Sequence, residues 1–303
     1  MNTRLKTTSI LITLTTLLTT ICMSGIAQTD SSITRSFEQS FNIDPEALLD
    51  INLQYSSVRF ENWDSSAVAI QGNVEALTTD SAKAEDIFNL ITVDMYSSPL
   101  EVGLSTIVDA EYEERNAQPF RINFKIMIPK SIGILGRFDF CEVAIPALSG
   151  PTDLKYNYSA VGADSLSFNK TEVAGRYSQT DIKVFAGNLL VNQYGDLKVG
   201  VINDSTEIIN EYGNAKIDSV AQSCKMLSFS NDFGEIDARL SPGVEYQLKV
   251  DSSYGTLLFP EEVEEVPETD PSKETSWKGT IGSGEKAAEL KIDNEFGTIT
   301  FSW

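Results

Sequence analysis

The sequence predicts an all-β protein folded as a single-domain β-solenoid, a stack of parallel β-coils of about 17–21 residues each. A short sequence motif recurs, its copies are evenly spaced, and the residues after it alternate between apolar and polar. The copies are VNQYGDLKV (Val191–Val199), INEYGNAKI (Ile209–Ile217), SNDFGEIDA (Ser230–Ala238), VDSSYGTLLF (Val250–Phe259) and IDNEFGTITF (Ile292–Phe301). Their aromatic residues are separated by 18, 21, 21 and 42 positions. A fixed period of this size is typical of solenoid architectures.

Each copy combines a turn with a strand. Asn or Asp precedes an aromatic residue and Gly, which is turn chemistry in which Gly is expected to take a positive φ. The alternation after Gly indicates a strand with one buried face. Stacking would therefore align the aromatic residues in a ladder within the core, and such a ladder predicts a cost of about 3–5 kcal/mol for Tyr212→Ala. The predicted ladder positions are Tyr158, Tyr177, Tyr194, Gly195, Tyr212, Gly213, Phe233, Gly234, Tyr254, Gly255, Phe296 and Gly297. The alternative fold is an antiparallel sandwich whose hairpins happen to look alike.

The repeats divide the chain unequally. Residues 136–303 are predicted to form the solenoid, with weaker copies at Phe140, Tyr158 and Tyr177 in which Ser sometimes replaces Gly. Residues 29–135 are predicted to form a β-rich cap that contains one short helix at residues 80–89, with Asp80 or Ser81 as its N-cap. The acidic segment 260–276 reads as a loop between coils that accounts for the doubled last interval, or as a docking site for a basic partner.

The first residues indicate export. Residues 1–27 read as a signal peptide, with Arg4 and Lys6 before the apolar run Ile10–Cys22 and a cleavage site after Ala27. The alternatives are an uncleaved anchor, or a lipoprotein modified at Cys22, whose preceding residues do not fit a lipobox. We therefore expect a protein of the periplasm, the cell surface or the exterior, with no transmembrane segment in the mature chain.

Composition excludes several classes of function. Cleavage of the signal peptide removes Arg4 and Lys6 but no acidic residue, so the net charge changes from −21 to −23. A protein this acidic is a poor partner for nucleic acid. The chain has no His and no closely spaced Cys pair, so we expect neither a metal site nor a cofactor. In the mature chain Cys141 and Cys224 remain, and they either form a disulfide or lie separately as buried thiols.

Catalysis is not expected. Without His, nucleophile systems that use a histidine base are absent, and no Gly-rich phosphate loop is present. Paired carboxylates, Asp232 with Glu235 or Asp251 with Glu211, leave a polysaccharide-acting enzyme as a lesser alternative. We expect a non-catalytic protein.

Several of these motifs resemble a bacterial "putative adhesin" family of exported β-solenoid domains. The segment Ser56–Gly72 is similar to the family's strand, Trp-Asp turn and strand, and the helix at residues 80–89 lies where the family has one. The segment Ile122–Gly150, with its Ile128-Pro129 step, resembles the entry into the solenoid, and the Tyr/Phe-Gly copies resemble its repeats. Two features depart from the family's pattern. Ser replaces Gly in the early copies, and the acidic segment 260–276 is inserted before the last copy. The resemblance implies surface attachment and transfers no binding residue.

We therefore expect an adhesin, or a surface-binding or structural solenoid, whose partner is a glycan or a protein. If the partner is a glycan, Trp63, Tyr112 and Trp277 are the candidate contact aromatics, although the pattern favours a packing or capping role for each. The alternative function is a periplasmic scaffold, or a partner protein in the envelope stress response.

Overall fold

Two twelve-stranded sheets and one short helix make up the fold. The computed structural model describes residues 32–110, 119–260, 263, 272–284 and 286–303. The prediction of an all-β protein with one short helix is confirmed. The predicted signal peptide, Tyr112 and most of the acidic segment 260–276 lie outside the described residues.

The N-terminal elements mix strands with the helix. They are β1 (Ile33–Asn42), β2 (Leu48–Gln54), β3 (Ser56–Asn62), β4 (Ala67–Ala76), α1 (Ser81–Leu90), β5 (Ile91–Ser98), β6 (Glu101–Val108) and β7 (Phe120–Ile128).

The central elements are short strands only. They are β8 (Gly133–Asp139), β9 (Glu142–Leu148), β10 (Thr152–Asn157), β11 (Ala160–Leu166), β12 (Glu172–Arg176), β13 (Gln179–Phe185), β14 (Leu189–Gln193), β15 (Asp196–Ile202), β16 (Thr206–Glu211), β17 (Asn214–Ile217), β18 (Met226–Asp232) and β19 (Glu235–Arg239). The C-terminal strands are β20 (Val244–Ser253), β21 (Thr256–Leu258), β22 (Glu274–Ile281), β23 (Lys286–Glu295) and β24 (Thr298–Ser302).

The chain alternates between the two sheets. The first sheet has the order β1-β4-β7-β3-β9-β11-β13-β15-β17-β19-β24-β21, and the second has the order β22-β20-β23-β18-β16-β14-β12-β10-β8-β2-β6-β5. We call a strand of the second sheet and the strand of the first sheet that follows it a rung. From β8 to β19 consecutive rungs pair in parallel and in register, so that Asp196 lies between Gln179 and Asn214. Antiparallel pairs occur only toward the sheet ends, among the described strands.

The last rungs do not stack in chain order. Strand β23 pairs in parallel with both β18 and β20, and β24 pairs with both β19 and β21. In the sheets, the final copy of the motif therefore lies between the third and fourth copies, although it comes after both in the sequence. The coils on either side of the acidic segment are direct neighbours in the stack, and the doubled interval also contains β22, which the sequence analysis did not predict and which pairs antiparallel with β20. At the other end, β6 and β7 likewise lie outside β2 and β3.

The helix begins one residue later than predicted. Asp80 is its N-cap, and its Oδ1 accepts hydrogen bonds from the backbone N–H groups of Ala82 (2.9 Å) and Lys83 (3.4 Å). Ala84, Ile87, Phe88 and Leu90 form its buried face. The helix connects β4 of the first sheet to β5 of the second, next to the end strands of both sheets.

The core is the continuous apolar layer between the sheets. It runs from Leu49 in β2 to Phe301 in β24 and consists mainly of Ile, Leu, Val and Phe side chains from alternate strand positions. No single rung buries its apolar side chains alone, so the stability of each rung depends on its neighbours. Among the described residues, no helix has both the length and the apolar character needed to span a bilayer.

Candidate binding surface

Nine aromatic residues lie where the chain leaves the second sheet and enters the first. Each has a left-handed backbone conformation, with φ between 49° and 59°. In spatial order, this aromatic ladder consists of Tyr55, Phe140, Tyr158, Tyr177, Tyr194, Tyr212, Phe233, Phe296 and Tyr254. The side chains are 39–54% exposed.

The prediction that the ladder lies in the core is therefore wrong. Leu190 and Asn192 point inward, and strict alternation would also turn Tyr194 inward. The positive φ at Tyr194 breaks the alternation and rotates the ring to the outside. The same reversal occurs at each ladder position, because the turn that joins the two sheets is built around the aromatic residue.

The rings stack on one another along the surface. Neighbouring centroids are 4.8–5.2 Å apart, and the planes differ by 1–23°. Stacked rings cover each other's faces. The ladder therefore presents ring edges and tyrosine hydroxyls to solvent, while its flat faces are mostly occupied.

In the later rungs, the glycine after the ladder aromatic is needed because successive rungs come close together there, and not because it has a positive φ. Among the described glycines, only Gly282 has a positive φ, which corrects the expectation for Gly195, Gly213, Gly234, Gly255 and Gly297. A Cβ on Gly213 would lie 2.5 Å from the carbonyl oxygen of Gly195 and 2.5 Å from Asn192 Nδ2. Successive rungs thus come too close at this position for any side chain.

A row of buried asparagines fills the space behind these glycines. Asn192, Asn210, Asn231 and Asn294 donate from Nδ2 to the carbonyl of the glycine three residues later, at 2.8–3.0 Å. Along the row, Asn192 donates to Asn210, Asn210 to Asn231 and Asn231 to Asn294, at 2.7–2.8 Å. These bonds satisfy polar groups that would otherwise be costly inside the protein.

The early rungs close the same turn differently. Ser56, Ser159 and Ser178 follow the ladder aromatic, and each Oγ donates to the backbone carbonyl two residues earlier, at 2.7–2.8 Å. In these rungs the position of the asparagine is taken by Leu53, Tyr156 or Gly175. Ser therefore replaces Gly where no asparagine amide needs the space, which explains the departure noted in the sequence.

Two grooves accompany the ladder. One, of about 830 Å³, crosses the outer face of the first sheet and is lined by residues that include Gly162, Asp181, Lys198 and Asp237. The other, of about 1120 Å³, follows the rings from Tyr55 to Tyr194. Both grooves include Glu142, Gln179 and Asp196, so the ladder and the sheet face form one extended surface.

Carboxylates flank the later half of the ladder. Glu211, Asp232 and Glu295 are neighbours in the second sheet, and each directly precedes a ladder aromatic. Asp196 and Glu235 lie on the other side of the rings, at the start of strands in the first sheet. The pKa of the Tyr212 hydroxyl is raised by desolvation, and also by the negative charges of Asp232, Glu211 and Glu295. The local potential is therefore negative.

The aromatic residues proposed from the sequence as ligand contacts lie apart from the ladder. Trp63 is half-buried, and its Nε1 donates to the carbonyl of Ala67 at 2.8 Å. Trp277 is half-buried against the core and covers Gly279. Both placements are those of packing side chains, and a role in ligand contact stays a prediction for each of them.

Cys141 and Cys224 are free, buried thiols, so the disulfide considered from the sequence is not formed. Cys141 directly precedes β9 in the first sheet, whereas Cys224 precedes β18 in the second, several rungs along the stack. Adjacent strands are about 4.8 Å apart, so this separation far exceeds the roughly 7 Å between Cα atoms that a disulfide allows. Burial raises the pKa of each thiol to about 11.

The carboxylate pairs proposed for catalysis are not equivalent. Asp251 and Glu211 are separated by three strand spacings in the second sheet, about 14 Å, and Asp251 bonds instead to Lys249 and Ser276. This separation is too large for a glycosidase pair. Asp232 and Glu235 flank Phe233 from different sheets. The non-catalytic nature of the chain stays a prediction.

Sequence reasoning missed the outward-facing ladder and the asparagine row. A signal for the row was present, because Asn stands two residues before the aromatic in four of the five strong copies. That position has the inward parity of the strand, so a repeated polar residue there indicates a buried hydrogen-bonded row. No such signal marks the side on which the rings lie.

No family model and no curated protein matches the chain. It is similar to the structure of a "putative adhesin" from Bacteroides fragilis, at 14% identity and a TM-score of 0.37, over 92% of this chain and 100% of that one. It is also similar to a "putative adhesin" from Parabacteroides distasonis, at 9% identity and a TM-score of 0.41, over 88% and 97% of the two chains. A "putative lipid binding protein" from the same species has 11% identity and a TM-score of 0.34, over 88% and 97%.

Proposed function

We propose that this chain is a non-catalytic, exported β-solenoid of the bacterial envelope that binds a surface ligand, either a glycan or a protein, through its outer face. The observation that carries the proposal is the continuous exposed ladder, which borders grooves of about 830 and 1120 Å³. Large contiguous apolar patches that are exposed on a protein surface mark interaction sites or ligand-binding grooves.

The stacking of the rungs supports a rigid rod-like scaffold. Parallel pairing in register continues from β8 to β19, and the asparagine row connects the later rungs by side-chain hydrogen bonds. Stacked repeats of this kind create extended surfaces that suit long ligands. Export is supported by the signal-like residues 1–27.

Localisation is the first test. Cells that produce the full chain are treated intact with protease and then fractionated, and the mature chain is followed with an antibody. Cleavage on intact cells, together with loss of attachment when the gene is deleted, is the expected result. Full protection with release from the periplasm would refute surface binding and favour the scaffold function instead.

A further inference from the structure

The later half of the ladder contains carboxylates that the chain itself does not neutralise. We define the acidic stripe as Tyr212, Phe233 and Phe296 with the flanking side chains of Asp196, Glu211, Asp232, Glu235 and Glu295. Within the described part of the chain, none of these five carboxylates forms an ion pair. Elsewhere the chain does pair charges on neighbouring strands, as in Lys183–Asp164 at 2.6 Å and Lys125–Glu61 at 2.8 Å.

Glu211 accepts a hydrogen bond from Gln193 Nε2 at 2.7 Å and Asp196 accepts one from Asn214 Nδ2 at 3.0 Å, but neither contact neutralises the charge of the stripe. Glu211, Asp232 and Glu295 are direct neighbours in register on adjacent strands, about 4.8 Å apart, where like charges destabilise a sheet. A cation placed over this row would reduce the repulsion among the three carboxylates.

An earlier rung shows which cation suits the ladder. Arg176 occupies the position equivalent to Glu211, directly before a ladder aromatic, and its guanidinium lies 5.2 Å from the ring centroid of Tyr177. The ladder thus accepts an arginine where the chain supplies one. In the acidic stripe the equivalent positions carry carboxylates, which leaves room for an arginine or lysine from outside.

We propose that the acidic stripe is a docking surface for an extended, Lys/Arg-rich segment of a partner protein. The net charge of −21 opposes anionic polymers. Because the ring faces are covered, a sugar ring has little aromatic face to stack on, whereas long basic side chains can lay their aliphatic stems along ring edges and reach the carboxylates on either side. The proposal rests on the binding role proposed above and specifies its partner.

The test uses the mature full-length chain and a fluorescent deca-arginine peptide, whose extended length of about 33 Å exceeds the length of the stripe. The binding variant carries Glu211→Gln, Asp232→Asn and Glu295→Gln. The control variant carries Glu46→Gln, Asp64→Asn and Asp86→Asn, which remove the same charge from exposed positions near the N-terminal end. Fluorescence anisotropy at several salt concentrations measures the dissociation constant.

We expect the binding variant to weaken peptide binding about tenfold, equivalent to 1.4 kcal/mol, and the control variant to weaken it less than about twofold. The binding variant should also unfold at a higher temperature than the wild type, because repulsion within the row has been removed. Equal losses in both variants, or no binding at low salt, would overturn the proposal.

A competition arm identifies the source of the positive charge. A soluble, cationic amino-sugar oligomer is added as an unlabelled competitor of the bound fluorescent peptide, and preferential binding of that oligomer would overturn the assignment to a protein segment. Surface localisation is measured independently, so a failed peptide assay with protease-sensitive surface protein would refute the docking surface and leave the proposed function standing.

Discussion

The side-chain amide of Asn210 donates a hydrogen bond of 2.8 Å to the backbone carbonyl of Gly213, and so closes the turn around Tyr212 from the inside. The same amide donates to Asn231 Oδ1 of the next rung at 2.8 Å. One side chain therefore fixes both the turn within a rung and the contact between rungs.

Replacing Asn210 or Gly213 should destabilise the protein by different mechanisms. Asn210→Ala leaves buried carbonyl groups without their donor and should cost about 1–3 kcal/mol. Gly213→Ala places a Cβ against Asn192 Nδ2 and the Gly195 carbonyl and should cost about 1–3 kcal/mol through overpacking. Urea unfolding measures both, with exposed Ala160 changed to Gly as a control. A Gly213→Ala variant as stable as the wild type would contradict the close approach of the rungs.

Tyr212 should behave as a surface stacking residue and not as a core residue. Its ring stacks on Tyr194 and Phe233 with centroids 4.9 and 5.0 Å away. Losing two aromatic pairs of about 0.5–1.5 kcal/mol each predicts a cost of about 1–3 kcal/mol for Tyr212→Ala, less than a buried ring would give. Tyr212→Phe should be nearly neutral, since Phe occupies equivalent rungs.

A third substitution at this position tests the backbone. Tyr212 has φ = 53°, which costs any residue with a Cβ roughly 1 kcal/mol more than glycine. Tyr212→Gly should therefore be more stable than Tyr212→Ala in the same urea assay. The opposite order would show that this turn is not left-handed in solution.

The two cysteines should be unreactive in the native state. Burial raises the pKa of both thiols to about 11, so little thiolate is present at pH 8. A thiol reagent should label neither residue until the protein is unfolded, and then should label both. Cys141→Ser should fold normally, because Ser159 and Ser178 occupy the equivalent position in the following rungs. Rapid labelling of native protein would contradict this burial.

Alkaline pH should destabilise the protein through Tyr246. Burial raises the pKa of its hydroxyl from 10 to about 12, while the hydroxyl accepts a hydrogen bond from the N–H of Ser241. The pKa of Tyr246 is higher in the folded state than in the unfolded state. Its contribution to the free energy of unfolding is therefore complete below pH 10 and is lost as pH rises toward 12, at about 1.4 kcal/mol per pH unit. Urea unfolding between pH 9 and 11.5 should show a smaller loss for Tyr246→Phe than for the wild type. Identical pH profiles would contradict the prediction.

Removing residues 260–303 should disrupt an inner position of the stack. The deletion removes β23 and β24, which separate β18 and β19 from β20 and β21. Hydrogen exchange should therefore show loss of protection in β20 and β21, with protection retained in the earlier rungs. Protection of β20 and β21 at the level of the full chain would contradict the prediction.

The sequence by itself determined the repeating unit. Turn residues recur beside the aromatic, and period-2 alternation follows each turn, so local chemistry specifies where strands begin and end. The helix was predictable for the same reason, because Asp80 and the stripe containing Ala84, Ile87 and Phe88 are local signals. Repetition then implied that the strands align in parallel.

Only the tertiary structure decided three further features. The left-handed φ at each aromatic moves its ring to the surface, although strand parity alone points the ring inward. Strands β23 and β24 enter the stack beside β18 and β19, since equivalent repeats offer similar edges and the chain order does not choose among them. Cys141 and Cys224 precede strands of different sheets, several rungs apart, because each rung divides its residues between both sheets. Local residue patterns specify a rung. Which of its side chains face solvent, and which rungs become its neighbours, depend on backbone geometry and on packing between distant segments.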